Sequence, residues 1–439
     1  MLPIFDQFFA TPETIQHKTS YGHIKACNER FNLNCEFTEN RYEPCSVFLY
    51  AGNRVDEFVS DELFIKVLDI ILGHKDSILY LDTIIEDFIH PPFIQILDKF
   101  FKAGVLPENI KVITSYNPAK AFRTRFFNER FLVHCDIVSP EGTYNVKNIK
   151  NKFRKIGQTP ELLNKLKDVD IISYNGFSTS YLIHKGEGLN HHHEELRATD
   201  ESDVGPREFK KHFSLLQKNS RYLRKIFHAY FITKGYDKLS HYSWHNIGVD
   251  NEWGRKEEKA CKMFNIPFDV VKLSKPIWFD NVEATDQTAP DEWSVPDIVE
   301  KDTAVPIVVE TCNTRDEGDS LFSESFHHRE HYFLSEKTYK NFYYGLPFIH
   351  LGMPFIDMHL KNLGYFTFRH HFDAKRIPVI KNTDGLVNDF ALIDFIANMS
   401  LDELSSILNA PQRVAEYKHN RKMLRRLLPL KNLINELDK

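Results

Sequence analysis

The 439-residue chain is poor in cysteine. Its six cysteines (Cys27, Cys35, Cys45, Cys135, Cys261 and Cys312) form no C-x-x-C pair. That spacing argues against a zinc framework and for a reducing compartment. No run approaches the ~20 apolar residues that a membrane-spanning helix needs, so no membrane partner is expected. The opening MLPIFDQFFATPETIQ has neither a basic start nor a long apolar stretch, which predicts no secretory signal and a cytoplasmic location. The dinucleotide fingerprint G-x-G-x-x-G and the zinc-protease motif H-E-x-x-H are both missing. Apolar material is ample: 42% hydrophobic residues, 13% aromatic, and 36 phenylalanines, enough for the cores of two or three domains.

Charge is spread unevenly. The net charge of −5 arises from 56 basic and 61 acidic residues and does not by itself mark a nucleic-acid binder. Residues 118–155 hold nine Lys and Arg against three acids, 411–439 hold eight against three, and 280–330 hold fourteen acids against three bases. Arg123, Arg125 and Arg130 interleave with Phe122, Phe126 and Phe127, and Lys150, Lys152 and Arg154 follow. Charge interleaved with aromatic faces suits a nucleic-acid surface. The same residues also suit a solvated face, and both readings stand.

Apolar periodicity divides the chain into two halves that each alternate strand with helix. In the first, 46–52, 77–83, 110–116, 131–138 and 170–176 read as strands. Residues 61–73 and 91–104 read as helices that end at Gly73 and Gly104. Strand, crossover helix and strand at steps of roughly 30 residues predict a parallel, doubly wound sheet, hence a Rossmann-like domain. A polar stretch, 189–206, separates the halves. In the second half, strands are expected at 212–217, 241–246, 305–313, 347–352 and 365–368. Helices are expected at 220–235, capped by Ser220, at 335–345, capped by Ser335, and at 354–363, with an exposed acidic insertion over 280–304. Helices at 385–399, 401–409 and 411–427 finish the chain. The expected fold class is therefore α/β. An N-terminal domain covers 1–205, a second Rossmann-like domain 206–410, and a helical tail 411–439. Two such domains and a tail fit the GT-B architecture, and the pattern alone allows other two-domain α/β enzymes.

In open α/β sheets ligands bind beyond the carboxyl ends of the strands, and the second half concentrates polarity there. The strand over 305–313 ends in Glu310, Thr311 and Asn313. The helix from 335 opens with Ser335, Glu336, Lys337 and Thr338, with Lys340 one turn on. A helix start presents unpaired N–H groups and a partial positive charge, a seat for a diphosphate. Lys337 adds a full charge, and Glu336 could accept from both hydroxyls of a ribose. Taken singly, Glu336 equally suits a carboxylate that stabilises the helix dipole, and Lys337 and Lys340 a solvated face. Arg221 and Arg224 lie three apart on one helix face. His191–His193 sit in the polar linker. His327, His328 and His331 have a spacing that could hold a metal on a helix, but no third ligand stands at a telling distance, so no metal site is assigned.

Ser335-Glu336-Lys337-Thr338-Tyr339-Lys340, Gly345, Pro347-Phe348-Ile349 and Gly352, followed by Leu360, Leu363-Gly364-Tyr365 and Thr367-Phe368, resemble the donor-binding segment of glycosyltransferase-like proteins of tailed phages and large DNA viruses. They are more distantly similar to the α1,3-fucosyltransferases. HFSLLQKNSRYLR (212–224) and Ser243-Trp244 resemble a second motif of the viral proteins, with a departure at Gln217-Lys218-Asn219. The resemblance covers 205–375. It implies a GT-B fold and sugar transfer from a nucleotide sugar, a co-substrate rather than a cofactor. Glu310, Glu336 and Lys337 would grip the donor, with Arg221 and Arg224 on its diphosphate. Positioned cations and helix N–H groups can stabilise the departing diphosphate without a metal. An inverting enzyme also needs a carboxylate base on the acceptor side, and Asp82, at the end of a strand, is the first candidate before Glu86 and Asp87. A retaining enzyme needs none.

Phage proteins of this kind imply an acceptor: hydroxymethylated bases of double-stranded DNA, glucosylated or pentosylated in the host cytoplasm after the base is flipped out. Arg123, Arg125, Arg130, Lys150, Lys152 and Arg154 would then contact DNA. A glycan or protein acceptor needs no basic groove. A nucleic-acid-binding protein that keeps the fold without the chemistry is a third reading. A metal-dependent nuclease, resting on His327, His328 and His331, is a fourth.

Overall fold

The computed structural model describes residues 2–9, 19–31, 33–51, 60–83, 91–114, 138–139, 142–143, 165, 168–174, 176–184, 204–219, 222–247, 252–277, 302–309, 334–351, 356–372, 385–426 and 428–438. The chain divides into two compact units. Unit 1 comprises Met1–Arg197, Glu330–Phe333 and Leu427–Lys439; unit 2 comprises Ala198–Arg329 and Leu334–Arg426.

Unit 1 is built on β1 (Ile4–Phe9), β2 (Phe37–Thr38), β3 (Ser46–Tyr50), β4 (Ile78–Asp82), β5 (Ile110–Thr114) and β8 (Asp170–Ser173), in the order β2-β1-β3-β4-β5-β8. Every pairing in this sheet is parallel, and β3 and β4 run in register from Ser46 opposite Ile78 to Tyr50 opposite Asp82. A two-stranded antiparallel ladder, β6 (Val138–Ser139) with β7 (Gly142–Thr143), is separate from it. All of β3 is buried, as expected of a continuous apolar run covered by helices on both faces. The helices are α1 (Ser20–Phe31), α2 (Asp61–Gly73), α3 (Pro91–Lys102) and α4 (Phe177–His184). Ser60 caps α2: its Oγ accepts from the Leu63 N–H, and Asp61 and Glu62 occupy the first turn. Val67, Ile70 and Ile71 of α2 and Leu97 and Phe100 of α3 share one core with Val47, Leu49, Leu79 and Leu81.

Unit 2 holds β9 (Lys211–Asn219), β10 (Ser240–Ile247), β11 (Thr303–Val309) and β12 (Ile349–Leu351), all parallel, in the order β10-β9-β11-β12. Its helices are α5 (Tyr222–Lys234), α6 (Arg255–Met263), α7 (Val270–Leu273), α8 (Glu336–Tyr344), α9 (Ile356–Asn362), α10 (Gly385–Ala397), α11 (Leu401–Leu408) and α12 (Pro411–Arg425). The last helix, α13 (Leu428–Leu437), packs in unit 1 against α4 and β8. In both units the chain winds to one side of its first central strand and then crosses to the other. This reversal makes a topological switch point between β1 and β3 and another between β9 and β11. The molecule is α/β, with two parallel sheets compatible with a pair of Rossmann-like domains.

One expected strand is not formed. Residues 365–368 are irregular, because the backbone of Phe366 is paired by a side chain: its N–H donates to Asn420 Oδ1 (2.7 Å) and its C=O accepts from Asn420 Nδ2 (2.9 Å). Expected features at 131–137, 189–203 and 280–300, the Ser220 cap, and His191–His193, His327, His328 and His331 lie outside the described residues. Among the described residues no helix is long and apolar enough to cross a membrane.

Candidate functional site

A cleft opens in unit 2 where the second switch point lies. It lies between the carboxyl-terminal parts of β9 and β11 and the first turns of α8. Among the described residues that line it, Arg224, Lys337 and Lys340 are cationic, none is acidic, and Gln217 and Asn341 are primary amides. β11 contributes an apolar wall from Ile307 to Val309. Net positive charge over a partly desolvated floor suits an anion.

Local structure fixes Arg224 and Lys337. Arg224 stands on α5, 5% exposed, and its Nε–H donates to the carbonyl of Val309, the last residue of β11 (3.3 Å). The guanidinium is thus tied to the strand end rather than swinging in solvent. Ser335, extended and buried, caps α8: its Oγ accepts from the Lys337 N–H at 3.3 Å, and Lys337 Nζ lies 3.5 Å from the same oxygen. Asn341 Nδ2 donates back to the Lys337 carbonyl at 2.7 Å. Lys337, Lys340 and Asn341, at i, i+3 and i+4, form one face of the helix. Thr338 is wholly buried, its N–H bonded to the Ser335 carbonyl at 3.1 Å, so its role is in the helix start rather than on the cleft.

The structure therefore brings Arg224 together with Lys337 and Lys340. Arg221 and Glu310 lie outside the described residues, as do Arg123, Arg125, Arg130, Lys150, Lys152 and Arg154; Glu336 is placed as the first residue of α8. Asn341 is not among the residues the sequence points to, and Gln217 enters there only as part of the departure Gln217-Lys218-Asn219 from the second motif. A signal for Gln217 was there: with Phe213 and Leu215 of the core it shares the alternating face of β9, where a polar residue is out of pattern.

In unit 1, Asp82 ends β4 and is wholly buried. Its Oδ2 accepts from the Ser20 N–H (2.6 Å) and from the Ser20 hydroxyl, which ties it to the first residue of α1. On α1 itself, His23 is also fully buried, its Nδ1 2.7 Å from the Tyr174 hydroxyl and its Nε2 2.7 Å from Ser180 Oγ. An Asp-x-Asp triplet, Asp168-Val169-Asp170, falls at the amino end of β8 with both carboxylates exposed, the end of a parallel sheet opposite the one at which ligands bind.

One group of metal-ligand type closes up among the described residues: His370, His371 and Glu416, with ligand atoms within 4.8 Å of one another. Glu416 is already engaged, by Arg413 Nη1 at 3.0 and 3.2 Å and by His371 Nε2 at 2.7 Å. Burial, reinforced by Arg413 and His370, pushes the His371 imidazole down to about 3, so the neutral ring donates from Nε2. A guanidinium on the carboxylate opposes a divalent cation there, and the group reads as an internal hydrogen-bond network.

Comparison of the chain with family models, curated proteins and solved structures finds no match.

Proposed function

We propose that the chain is a glycosyltransferase of GT-B type that takes a nucleotide sugar in the unit 2 cleft and moves the sugar to an acceptor, with hydroxymethylated bases of phage DNA as the acceptor class. The observation that carries the reading is the place of the cleft: a switch point at the carboxyl ends of parallel strands, with Arg224, Lys337, Lys340 and the start of α8 gathered on it. The resemblance of residues 335–368 to viral glycosyltransferase-like proteins supports the choice of a nucleotide sugar among phosphate-bearing ligands.

In this reading the diphosphate lies against the first turn of α8, where the partial positive charge of the helix start and the Lys337 ammonium meet its oxygens. As the glycosidic bond to the diphosphate breaks, negative charge grows on the leaving oxygen. Arg224, held beforehand on the Val309 carbonyl, stabilises that charge with little reorganisation, and Lys340 adds a second cation. Glu310, Glu336 and Arg221 are proposed to complete the donor contacts. Asp82 is proposed as the base of an inverting reaction, acting when its Oδ2 is released from Ser20. The DNA acceptor rests on the basic and aromatic pattern around Arg123–Arg130 and Lys150–Arg154.

The test is a thermal-shift panel of UDP, GDP, CMP, ADP and their sugar conjugates, with and without chelator. A ligand at a hundred times its dissociation constant stabilises by about 2.7 kcal/mol. The expected outcome is a chelator-insensitive shift with one nucleotide, abolished in Lys337→Ala, followed by sugar transfer to hydroxymethylated DNA. Absence of a shift with every nucleotide would overturn the reading and favour a binding protein without transferase chemistry.

A further inference from the structure

We infer that Gln217 selects the ligand of the unit 2 cleft, both ends of its carboxamide reading a neutral group that donates and accepts at once, a hydroxyl or an imide edge. The inference rests on the donor reading above. Gln217 is 3% exposed, and among the described residues neither its Nε2 nor its Oε1 has a hydrogen-bond partner. Buried side-chain amides are nearly always paired, and each exception calls for an account. This one lies at the carboxyl end of β9, in the wall of the cleft.

The fold makes no use of that polarity. Phe213 and Leu215, the preceding residues on the same face, are core residues, and an aliphatic side chain at 217 would continue their surface. The cations cannot account for it either. Phosphate oxygens only accept, and Arg224, Lys337 and Lys340 supply donors for them. The Oε1 acceptor of Gln217 needs a ligand O–H or N–H, which a phosphate ester offers through its sugar hydroxyls or its base. An idle amide in the unliganded protein, satisfied when the ligand arrives, is also how a polar site rejects an analogue that lacks the matching group.

The experiment compares wild type with Gln217→Met and Gln217→Leu, of similar volume, by thermal melting and by titration with inorganic pyrophosphate, UDP, GDP, UDP-glucose and GDP-mannose. Both variants are expected to melt no lower than wild type, because only an unpaired amide is lost. They should bind pyrophosphate within twofold of wild type and the preferred nucleotide or its conjugate at least tenfold more weakly. A loss already present with the bare nucleoside diphosphate assigns the contact to base or ribose; a loss confined to the conjugate assigns it to the transferred sugar. Variants that melt lower show a structural amide and overturn the inference. Undiminished nucleotide affinity in both variants overturns it while the donor reading stands. A wild-type protein that binds pyrophosphate alone, or nothing, overturns both.

Discussion

Gly345 ends α8 in the left-handed conformation, φ +64°, with its N–H on the Phe342 carbonyl and the following Leu346 N–H on the Asn341 carbonyl, the paired bonds of a glycine-terminated helix. A Cβ at this position would lie 2.8 Å from Val204 Cγ1. Left-handed backbone costs an L-residue about 1 kcal/mol or more, and Val204 must also shift. Gly345→Ala is therefore expected to lower the free energy of unfolding by about 1–3 kcal/mol, read from urea denaturation; an unchanged midpoint would show that Val204 yields freely. The residue belongs to the motif read in the sequence from Ser335 to Phe368, and so do Phe348, Tyr365 and Phe368. Phe342 stacks on Tyr365 with ring centres 4.3 Å apart, and Phe348 meets Phe342 and Phe368 edge-on. The pattern thus has two physical parts. Its C-terminal portion stops and packs a helix, while Lys337 and Lys340 at its start face the cleft.

At the scale of elements, what the sequence made legible were the segments whose stability is local. α2 carries its own cap and first-turn acids, α8 its own Ser335 and Gly345, and β3 and β4 contain the apolar runs 47–50 and 78–81. Each is readable from a window of a dozen residues. β1, α1 and β2, in contrast, were not anticipated. The α1 sequence, SYGHIKACNERF, has a weak apolar periodicity and no acid in its first turn; Thr19 caps the Gly22 N–H locally, but the first N–H, of Ser20, is held by Asp82, 62 positions away. Residues 365–368 failed in the opposite direction, since Asn420, 54 positions on, supplies what a neighbouring strand would have supplied. Long-range side-chain partners leave no trace in a local window. Asp82 offers a test in which anchor and base come apart. Asp82→Asn keeps an acceptor for Ser20 and should melt close to wild type, but it cannot take up a proton. An inverting transferase that uses this base should lose at least a hundredfold in rate. Asp82→Ala leaves the Thr19 cap in place but removes the buried acceptor of the Ser20 N–H and hydroxyl, and is expected to cost about 1–3 kcal/mol. Full activity in Asp82→Asn would leave the residue as a helix anchor only.

For the molecule as a whole, the alternation of strand and helix announced two parallel sheets, but the crossing that makes a switch point, and with it the cleft, depends on strand order. Nothing in 211–219 or 303–309 states that β9 and β11 are neighbours. Titration gives unit 2 a signature of its own. Burial pushes the imidazoles of His228 and His371 down to about 3 and that of His359 to about 4, whereas in the unfolded chain each titrates near 6.5. The native rings stay neutral as pH falls, and the unfolded chain takes up the protons first. Their contribution to stability is complete above about pH 6.5 and is lost from there towards the folded values, at up to about 1.4 kcal/mol per pH unit for each ring. Asp389 works against them: burial outweighs Arg369 and lifts its carboxyl to about 6, so the native state binds that proton before the unfolded chain does. For these four groups, three protons against one leave a net fall of roughly 2–3 kcal/mol per pH unit near pH 5; His370, which burial holds down, and Asp357, which burial holds up, pull in opposite directions. All four tryptophans lie within the range of unit 2, and His228 stacks on Trp244 with ring centres 4.4 Å apart, so tryptophan fluorescence follows this unit selectively. Its thermal midpoint is expected to drop by several degrees between pH 7 and pH 5. A midpoint flat across that interval would mean that the rings take up their protons in the folded state and that the neutral, buried network around His228 and His371 does not hold.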